Sequence, residues 1–164
     1  MTFERATVFN TYIELSSTAY HNGHFDVAES MLKAAYKEMP KDQNFKSLGQ
    51  VLENLAEVFV AQKRYVKSER LYRRALAMYQ QHSRDGQNHA VRIYCRIAHA
   101  NALQKKFEAA EKWAQKALEL ATLTSEHGPI IKLIGCYHEM DEHDRAWEIY
   151  RQLLKIRFDA SPEK

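Results

Sequence analysis

The stretch of sequence that decides the fold is residues 59–76, FVAQKRYVKSERLYRRAL. It begins with the apolar residues 59–61, which end one predicted helix, and continues with a polar turn at 62–64. Beyond the turn, Tyr65, Ser68 and Tyr72 follow at spacings of three and four residues. Apolar and small residues at this spacing form one face of an amphipathic α-helix. The stretch therefore predicts two helices joined by a tight turn, that is, a helical hairpin.

The same layout occurs four times along the chain. In each copy a small residue follows the turn, and these residues, Ala28, Ser68, Ala110 and Ala146, lie 40, 42 and 36 residues apart. A period between about 20 and 50 residues is typical of a repeat array. We expect the small residues to lie where the two helices of a hairpin approach most closely. The four repeats are expected at about 9–42, 49–82, 91–124 and 127–160.

Composition supports an all-α chain with one core. Only 5 glycines and 3 prolines occur in 164 residues, which argues against turn-rich β folds, and 45% hydrophobic residues can build a core. The length fits a single domain, 1–164. No strand is expected, and the predicted helices are 4–21, 25–38, 43–62, 65–82, 88–104, 107–123, 128–140 and 143–158.

These repeats resemble the tetratricopeptide repeat (TPR), a helix-turn-helix motif with set apolar positions in its first helix and small residues in its second. The first-helix positions are held by Tyr12, Leu15, Leu52, Leu55, Phe59, Tyr94, Ile97, Leu133 and Tyr137, and the second-helix positions by Ala28, Ala35, Ser68, Ala75, Ala110, Ala117 and Ala146. Ser16, Ala56, Ala98 and Ile134 replace the motif's glycine, and only Pro40 supplies a closing proline.

The resemblance covers about residues 9 to 160, and the spacings of 40 and 42 are similar to the extended repeats of the kinesin light chain type. It implies an all-α, right-handed superhelix of four TPR-like helical hairpins. It also implies a protein- or peptide-binding scaffold or adaptor, in which the first helices of the hairpins line a concave groove.

Charge and motifs exclude several other classes. The net charge is only +3, so no nucleic-acid partner is expected. The chain has no signal-peptide pattern and no long apolar span, which predicts a cytoplasmic protein with no membrane partner and with Cys95 and Cys136 reduced. The eight histidines lack the spacing of a zinc site. The sequence also has no G-x-S-x-G turn that would hold a nucleophilic serine, and no glycine-rich loop that would bind a phosphate. We therefore expect no metal, no cofactor and no enzymatic activity.

The expected groove surface is polar and mixed in charge. On the fifth helix Arg92, Arg96 and His99 recur at four and three residues, so they share one face. By the same phasing, the other first helices add the remaining groove residues, which are Asn54, Glu53, Glu57 and Lys132, with Ile131, Gly135, His138 and Glu139 on the same face as Lys132.

Some chaperone-binding members of the TPR family hold a terminal carboxylate with a clamp of lysines, asparagines and an arginine. Asn54, Arg92 and Arg96 match that clamp in type, whereas Ile13 and Ser17 depart from it. Two guanidiniums and an amide suit an acidic segment or a C-terminal carboxylate. The alternative is that the two arginines pair with Glu53 and Glu57.

The last predicted helix, 143–158, carries more apolar side chains than the one face that packs against the core can bury. Trp147, Tyr150, Leu154 and Phe158 are the expected excess, and no polar closing helix is expected after about residue 158. This favours self-association as a homodimer, or docking to another chain. Two further functions stay open at this point: a secretion-chaperone-like dimer that shields a partner, and a regulatory domain for a separate enzyme or transcription factor.

Overall fold

The computed structural model describes residues 2–39, 45–81 and 85–159, which form eight α-helices and no strand. The helices are α1 (Thr2–His21), α2 (Phe25–Glu38), α3 (Phe45–Ala61), α4 (Tyr65–Gln80), α5 (Asp85–Leu103), α6 (Phe107–Thr124), α7 (Gly128–Glu139) and α8 (His143–Asp159). The all-α prediction is confirmed, and the helices agree with the expected ranges to within a few residues. Pro40, the expected closing proline, lies outside the described residues.

One turn geometry joins the two helices of every hairpin. Gly23, Lys63, Lys105 and Asp141 all have a positive φ, between 60° and 76°. In the first turn the Gly23 and His24 amides donate to the carbonyls of Tyr20 and Ala19, and the other three turns repeat both bonds. This is the Schellman motif, which ends a helix on a left-handed residue. The repeat seen in the sequence is therefore also a repeat of backbone structure.

The small residues after each turn are buried as expected. Ala28, Ser68 and Ala110 are fully buried, and Ala146 is nearly so. A larger side chain at any of these positions would push the two helices of a hairpin apart. In each of the hairpins α1–α2, α3–α4, α5–α6 and α7–α8 the two helices pack against each other, which confirms the four predicted hairpins.

The chain divides into two compact units, residues 1–82 and 83–164. The first unit contains α1–α4, and its core includes one cluster around Leu32 and Val58 and another around Phe9 and Val51. The second unit contains α5–α8, and one continuous core cluster runs through all four of its helices. The prediction of a single domain stays a prediction.

An ion pair joins the two hairpins of the first unit. The Arg64 guanidinium lies 2.7 Å from a carboxylate oxygen of Glu29, and the Gln62 amide donates to the same oxygen at 3.1 Å. Burial acts to raise the pKa of Glu29, but hydrogen bonds from Lys33 and Gln62 and the charges of Lys33 and Arg64 lower the pKa overall. The carboxylate therefore stays ionised at neutral pH.

The second unit has a matching ion pair. Arg145 of the fourth hairpin pairs with Glu111 of the third, and its guanidinium also lies 4.4 Å from the centre of the Phe107 ring. In both units, therefore, a glutamate near the start of one hairpin's second helix bonds an arginine of the following hairpin.

Candidate functional site

A cleft between α5 and α7 is the main candidate site of the second unit. It encloses about 200 Å³ and is lined by Arg92, Cys95, Arg96, His99, Gly128, Pro129, Lys132, Leu133 and Cys136. These two helices are the first helices of the third and fourth hairpins, the elements that the sequence assigned to partner binding. The volume is below the roughly 300–1,000 Å³ of pockets for drug-sized ligands. The cleft therefore suits one side chain or a chain terminus.

The charge of this cleft is positive. Arg92, Arg96 and Lys132 line it, and no residue that lines it carries a carboxylate. The two arginines are four residues apart on α5, so they lie one above the other on the same face. One Arg92 nitrogen lies 3.0 Å from Nδ1 of His89, which helps to fix the direction of that guanidinium.

His99 adds a neutral ring to the cleft. Burial lowers the pKa of His99 below its ordinary value of 6.5, and the nearby charge of Arg96 lowers it further, while Glu139 acts in the opposite direction. At neutral pH the imidazole is therefore uncharged and can accept or donate a hydrogen bond. The cationic character of the cleft comes from its arginines and its lysine.

The two thiols in the cleft are not activated. Burial raises the pKa of Cys95 to about 12, against a smaller opposing effect of Arg96. Burial and the charge of Glu139 likewise raise the pKa of Cys136. Since the thiolate is the nucleophilic form, both side chains behave as small apolar groups at neutral pH. With Leu133 they form an apolar wall beside the cations.

A second cleft lies in the first unit, between α1 and α3. It encloses about 120 Å³, and its lining residues are Ser16, Ser17, Tyr20, His21, Leu32, Asn54, Glu57 and Val58. Asn54 and Glu57 are thus side chains of a different cleft from the one that contains Arg92, Arg96, His99 and Lys132. This cleft offers hydroxyls, an amide and one carboxylate, and neither arginine nor lysine lines it.

Glu53 does not lie where the sequence analysis expected it. Its side chain is only 5% exposed, and it accepts a hydrogen bond of 3.1 Å from the Tyr79 hydroxyl. Tyr79 is itself buried and comes from α4, the partner helix of the same hairpin. The assignment of Glu53 to the groove surface is therefore wrong, because the buried tyrosine hydroxyl needs an acceptor inside the hairpin.

Sequence reasoning also missed part of the α7 contribution. It expected Ile131, Gly135 and His138 to share the groove face with Lys132, whereas Gly128, Pro129, Leu133 and Cys136 line the cleft beside it. The face is rotated by about one residue. The sequence did contain a signal for the observed face of α7, since Lys132 and Cys136 are one helical turn apart and the helix begins at Gly128-Pro129.

The expected apolar excess on α8 is largely exposed. Trp147 is 63% exposed, Tyr150 39% and Phe158 72%, while Leu154 is half-buried. The rings of Trp147 and Tyr150 lie 5.6 Å apart, centre to centre. These residues form a surface separate from the α5/α7 cleft, since none of them lines it.

The described part of the chain contains neither a metal-binding cluster nor a membrane-spanning helix. No group of three or more histidine, cysteine, aspartate or glutamate side chains is arranged to hold a metal ion there. None of the helices in that part combines the length and the apolar character needed to cross a membrane.

Comparison with known proteins identifies the family. Residues 47–123 match the family model described as tetratricopeptide repeat. The chain contains tetratricopeptide repeats over residues 47–123. No curated protein matches this TPR chain. The more specific likeness to repeats of the kinesin light chain type stays a prediction.

Solved structures support the same fold. The crystal structure of MamA protein matches 93% of this chain and 74% of its own, with a TM-score of 0.59 and 20% sequence identity. The crystal structure of BtubC (BKLC) from P. vanneervenii matches 96% of this chain and 74% of its own, with a TM-score of 0.64 and 20% identity. At this level of identity the likeness shows the fold alone. The tetratricopeptide-repeat match over residues 47–123 supports a general role as a protein-interaction scaffold.

Proposed function

We propose that this TPR protein is a non-catalytic scaffold that binds an acidic segment or a C-terminal carboxylate of a partner protein in the α5/α7 cleft. The observation that carries the proposal is the charge of that cleft: Arg92, Arg96 and Lys132 line it, and no carboxylate does. This role needs no cofactor or catalytic group. It suits a cytoplasmic protein with reduced thiols.

The chemistry of the cleft favours a carboxylate over other anions of similar charge. A guanidinium presents parallel N–H donors that match the two oxygens of a carboxylate, and hydrogen bonds between ionised groups are about twice as strong as neutral ones. The apolar wall of Cys95, Leu133 and Cys136 keeps water from one side of the bound group. Lower local polarity strengthens the attraction between the ligand and the cations.

The α1/α3 cleft has a different role in this proposal. Asn54 and Glu57 cannot attract an acidic group by charge, but an amide and a carboxylate can bond the amides and carbonyls of an extended backbone. We therefore assign the binding of a partner's acidic groups to the second unit, and the hydrogen bonding of a partner's main chain to the first.

The test uses an array of short synthetic peptides in matched pairs, acidic residues in one member and the corresponding amides in the other. Wild-type protein should bind acidic members at least about tenfold more tightly than their amide partners, because each charged hydrogen-bonded contact contributes a few kcal/mol. The preference should weaken as salt is added. Calorimetry on the tightest peptide then compares wild type with Arg92→Ala/Arg96→Ala.

Arg73→Ala/Arg74→Ala is the control, since it removes the same charge from α4 in the first unit. The proposal expects the cleft variant to lose at least about tenfold in affinity and the control to bind as wild type does. Equal binding by the cleft variant, or an equal loss in both variants, would show that the cleft cations do not hold the ligand.

A further inference from the structure

His99 is the side chain lining the α5/α7 cleft whose charge can change near neutral pH. Arginine and lysine side chains are ordinarily cationic throughout that range. The other ionisable groups that line the cleft are the thiols of Cys95 and Cys136, and burial raises the pKa of both. Histidine, by contrast, exchanges its proton close to neutral pH. A ligand that alters the charge of the cleft therefore acts on the protonation of His99.

The His99 ring is placed to contact such a ligand. It follows Arg96 by three residues on α5, so the two side chains share one face of that helix. The ring is half-buried and lines the cleft. Among the described residues, none forms a hydrogen bond with either of its nitrogen atoms. Both nitrogens are therefore available to a group that enters the cleft.

The charged groups that act on the ring come from two helices. On α5 they are Arg92 and Arg96, and on α7 they are Lys132, which lines the cleft, and Glu139. Helix α6 also packs against α5 but contributes no residue to the cleft. Three of these four side chains are cations, so the surroundings disfavour a further positive charge on the ring while the cleft holds no anion.

We propose that His99 takes up a proton when an acidic group of a partner enters the α5/α7 cleft, so that binding tightens in mildly acidic solution. This inference rests on the proposed function, because the acidic group is the ligand assigned to this cleft. A carboxylate brings a negative charge into the cleft, and a nearby opposite charge favours the protonated form of a histidine. The protonated ring has two N–H donors, one of which can bond the carboxylate.

Proton uptake and ligand affinity are linked by thermodynamics. If the bound carboxylate makes His99 easier to protonate, the protonated protein binds the carboxylate more tightly by the same factor. An adjacent opposite charge typically changes a protonation equilibrium by about tenfold or more. The affinity for an acidic peptide should therefore rise at least about fivefold between about pH 8 and about pH 5.5, a range in which the peptide's own carboxylates stay ionised.

Calorimetry in two buffers of different ionisation enthalpy measures the proton uptake. The probe is the tightest acidic peptide of the array, titrated into the full chain at about pH 6.5 in MES and in imidazole. Wild type should take up about half a proton or more per bound peptide. His99→Gln should take up almost none, and its affinity should stay constant as the pH falls. Circular dichroism checks that the variant keeps its helices.

His138→Gln is the matched control, because His138 is an exposed histidine of α7 that does not line the cleft. It should take up as much of a proton as wild type does. His89, whose ring lies 3.0 Å from Arg92, is the alternative source of the proton. Uptake that persists in His99→Gln and disappears in His89→Gln would overturn the proposal.

The outcomes separate this inference from the function on which it rests. Acidic peptides that bind in preference to their amide partners, but without proton uptake, would overturn the role of His99 and leave the assignment of acid binding to the cleft intact. If no acidic peptide is preferred over its amide partner, both the function and this inference are wrong.

Ring chemical shifts give an independent measurement at the residue itself. Proton–carbon correlation spectra of histidine-labelled protein follow each imidazole through a pH titration, and His99→Gln identifies the His99 signal by its loss. With the peptide bound, the titration midpoint of His99 should move to a proton concentration at least about tenfold lower than in the free protein. Equal midpoints in the free and bound proteins would overturn the proposal.

Discussion

The two clefts are built by the same kind of backbone and differ in what they offer a partner. The α1/α3 cleft contains hydroxyls, Asn54 and Glu57, while the α5/α7 cleft contains Arg92, Arg96 and Lys132 beside an apolar wall. The repeat offset of 42 residues aligns Asn54 with Arg96, and Glu57 with His99. Two side-chain exchanges at equivalent positions therefore account for much of the difference in charge. The hairpin fixes where a side chain lies, and its chemistry decides what the unit binds.

Exchanging the side chains between the clefts should have the largest effect. Arg96→Asn/His99→Glu gives the second unit the side chains found at the equivalent positions of the first. We expect its affinity for the best acidic peptide of the array to fall about a hundredfold, because a cation is lost and a carboxylate is added. Calorimetry measures the change.

The reciprocal variant, Asn54→Arg/Glu57→His, serves as the matched comparison and should retain the wild-type affinity or gain some. If the two variants bind equally well, the proposed division of roles between the clefts is wrong.

Removing the Glu53 carboxylate should affect stability and leave peptide binding intact. Glu53→Ala deprives the buried Tyr79 hydroxyl of its acceptor, which typically lowers the free energy of unfolding by about 1–3 kcal/mol. Urea denaturation measures this loss, and Glu14→Ala, at an exposed glutamate of the same unit, is the control. A Glu53→Ala variant as stable as the control would contradict the structural role given to this residue.

The smallest expected effect is on the pH dependence of stability, to which His99 of the α5/α7 cleft contributes. Burial and Arg96 lower the pKa of His99, so the folded protein binds this proton less readily than the unfolded chain does. The stabilising contribution is complete above the ordinary pKa of 6.5 and is lost as the pH falls through the lower pKa of the folded state. His99→Gln should therefore lose less free energy of unfolding than wild type between about pH 7 and about pH 5.

His24→Gln, at an exposed histidine of the first unit, controls for the change of side chain. Urea denaturation at each pH gives the comparison. A wild-type slope indistinguishable from that of His99→Gln would show that the buried imidazole does not contribute.

The sequence predicted the hairpins well because their signals are local. Turn position, the small residues that follow it and the spacing of apolar residues all lie within one repeat. The convergence of Arg92, Arg96 and His99 was predictable for the same reason, since residues three and four apart share a helix face. Local patterns thus set the fold and one wall of the second cleft.

The errors concern contacts between helices. Helix position alone could not show that Glu53 faces inward, because its acceptor role depends on Tyr79, 26 residues further along the chain. The rotation of α7 was missed because a helix of 12 residues gives too few turns to fix the phase of its apolar face. Such features depend on how helices pack, which spacing within one helix does not determine.

Chemical-shift mapping of the best acidic peptide onto isotope-labelled protein tests the central claim most directly. We expect the largest changes at residues 92–99 and 128–136, with the Arg92 and Arg96 side-chain signals among them, and smaller changes around residues 54–58. Largest changes confined to the α1/α3 cleft or to α8 would contradict the assignment of acid binding to the α5/α7 cleft.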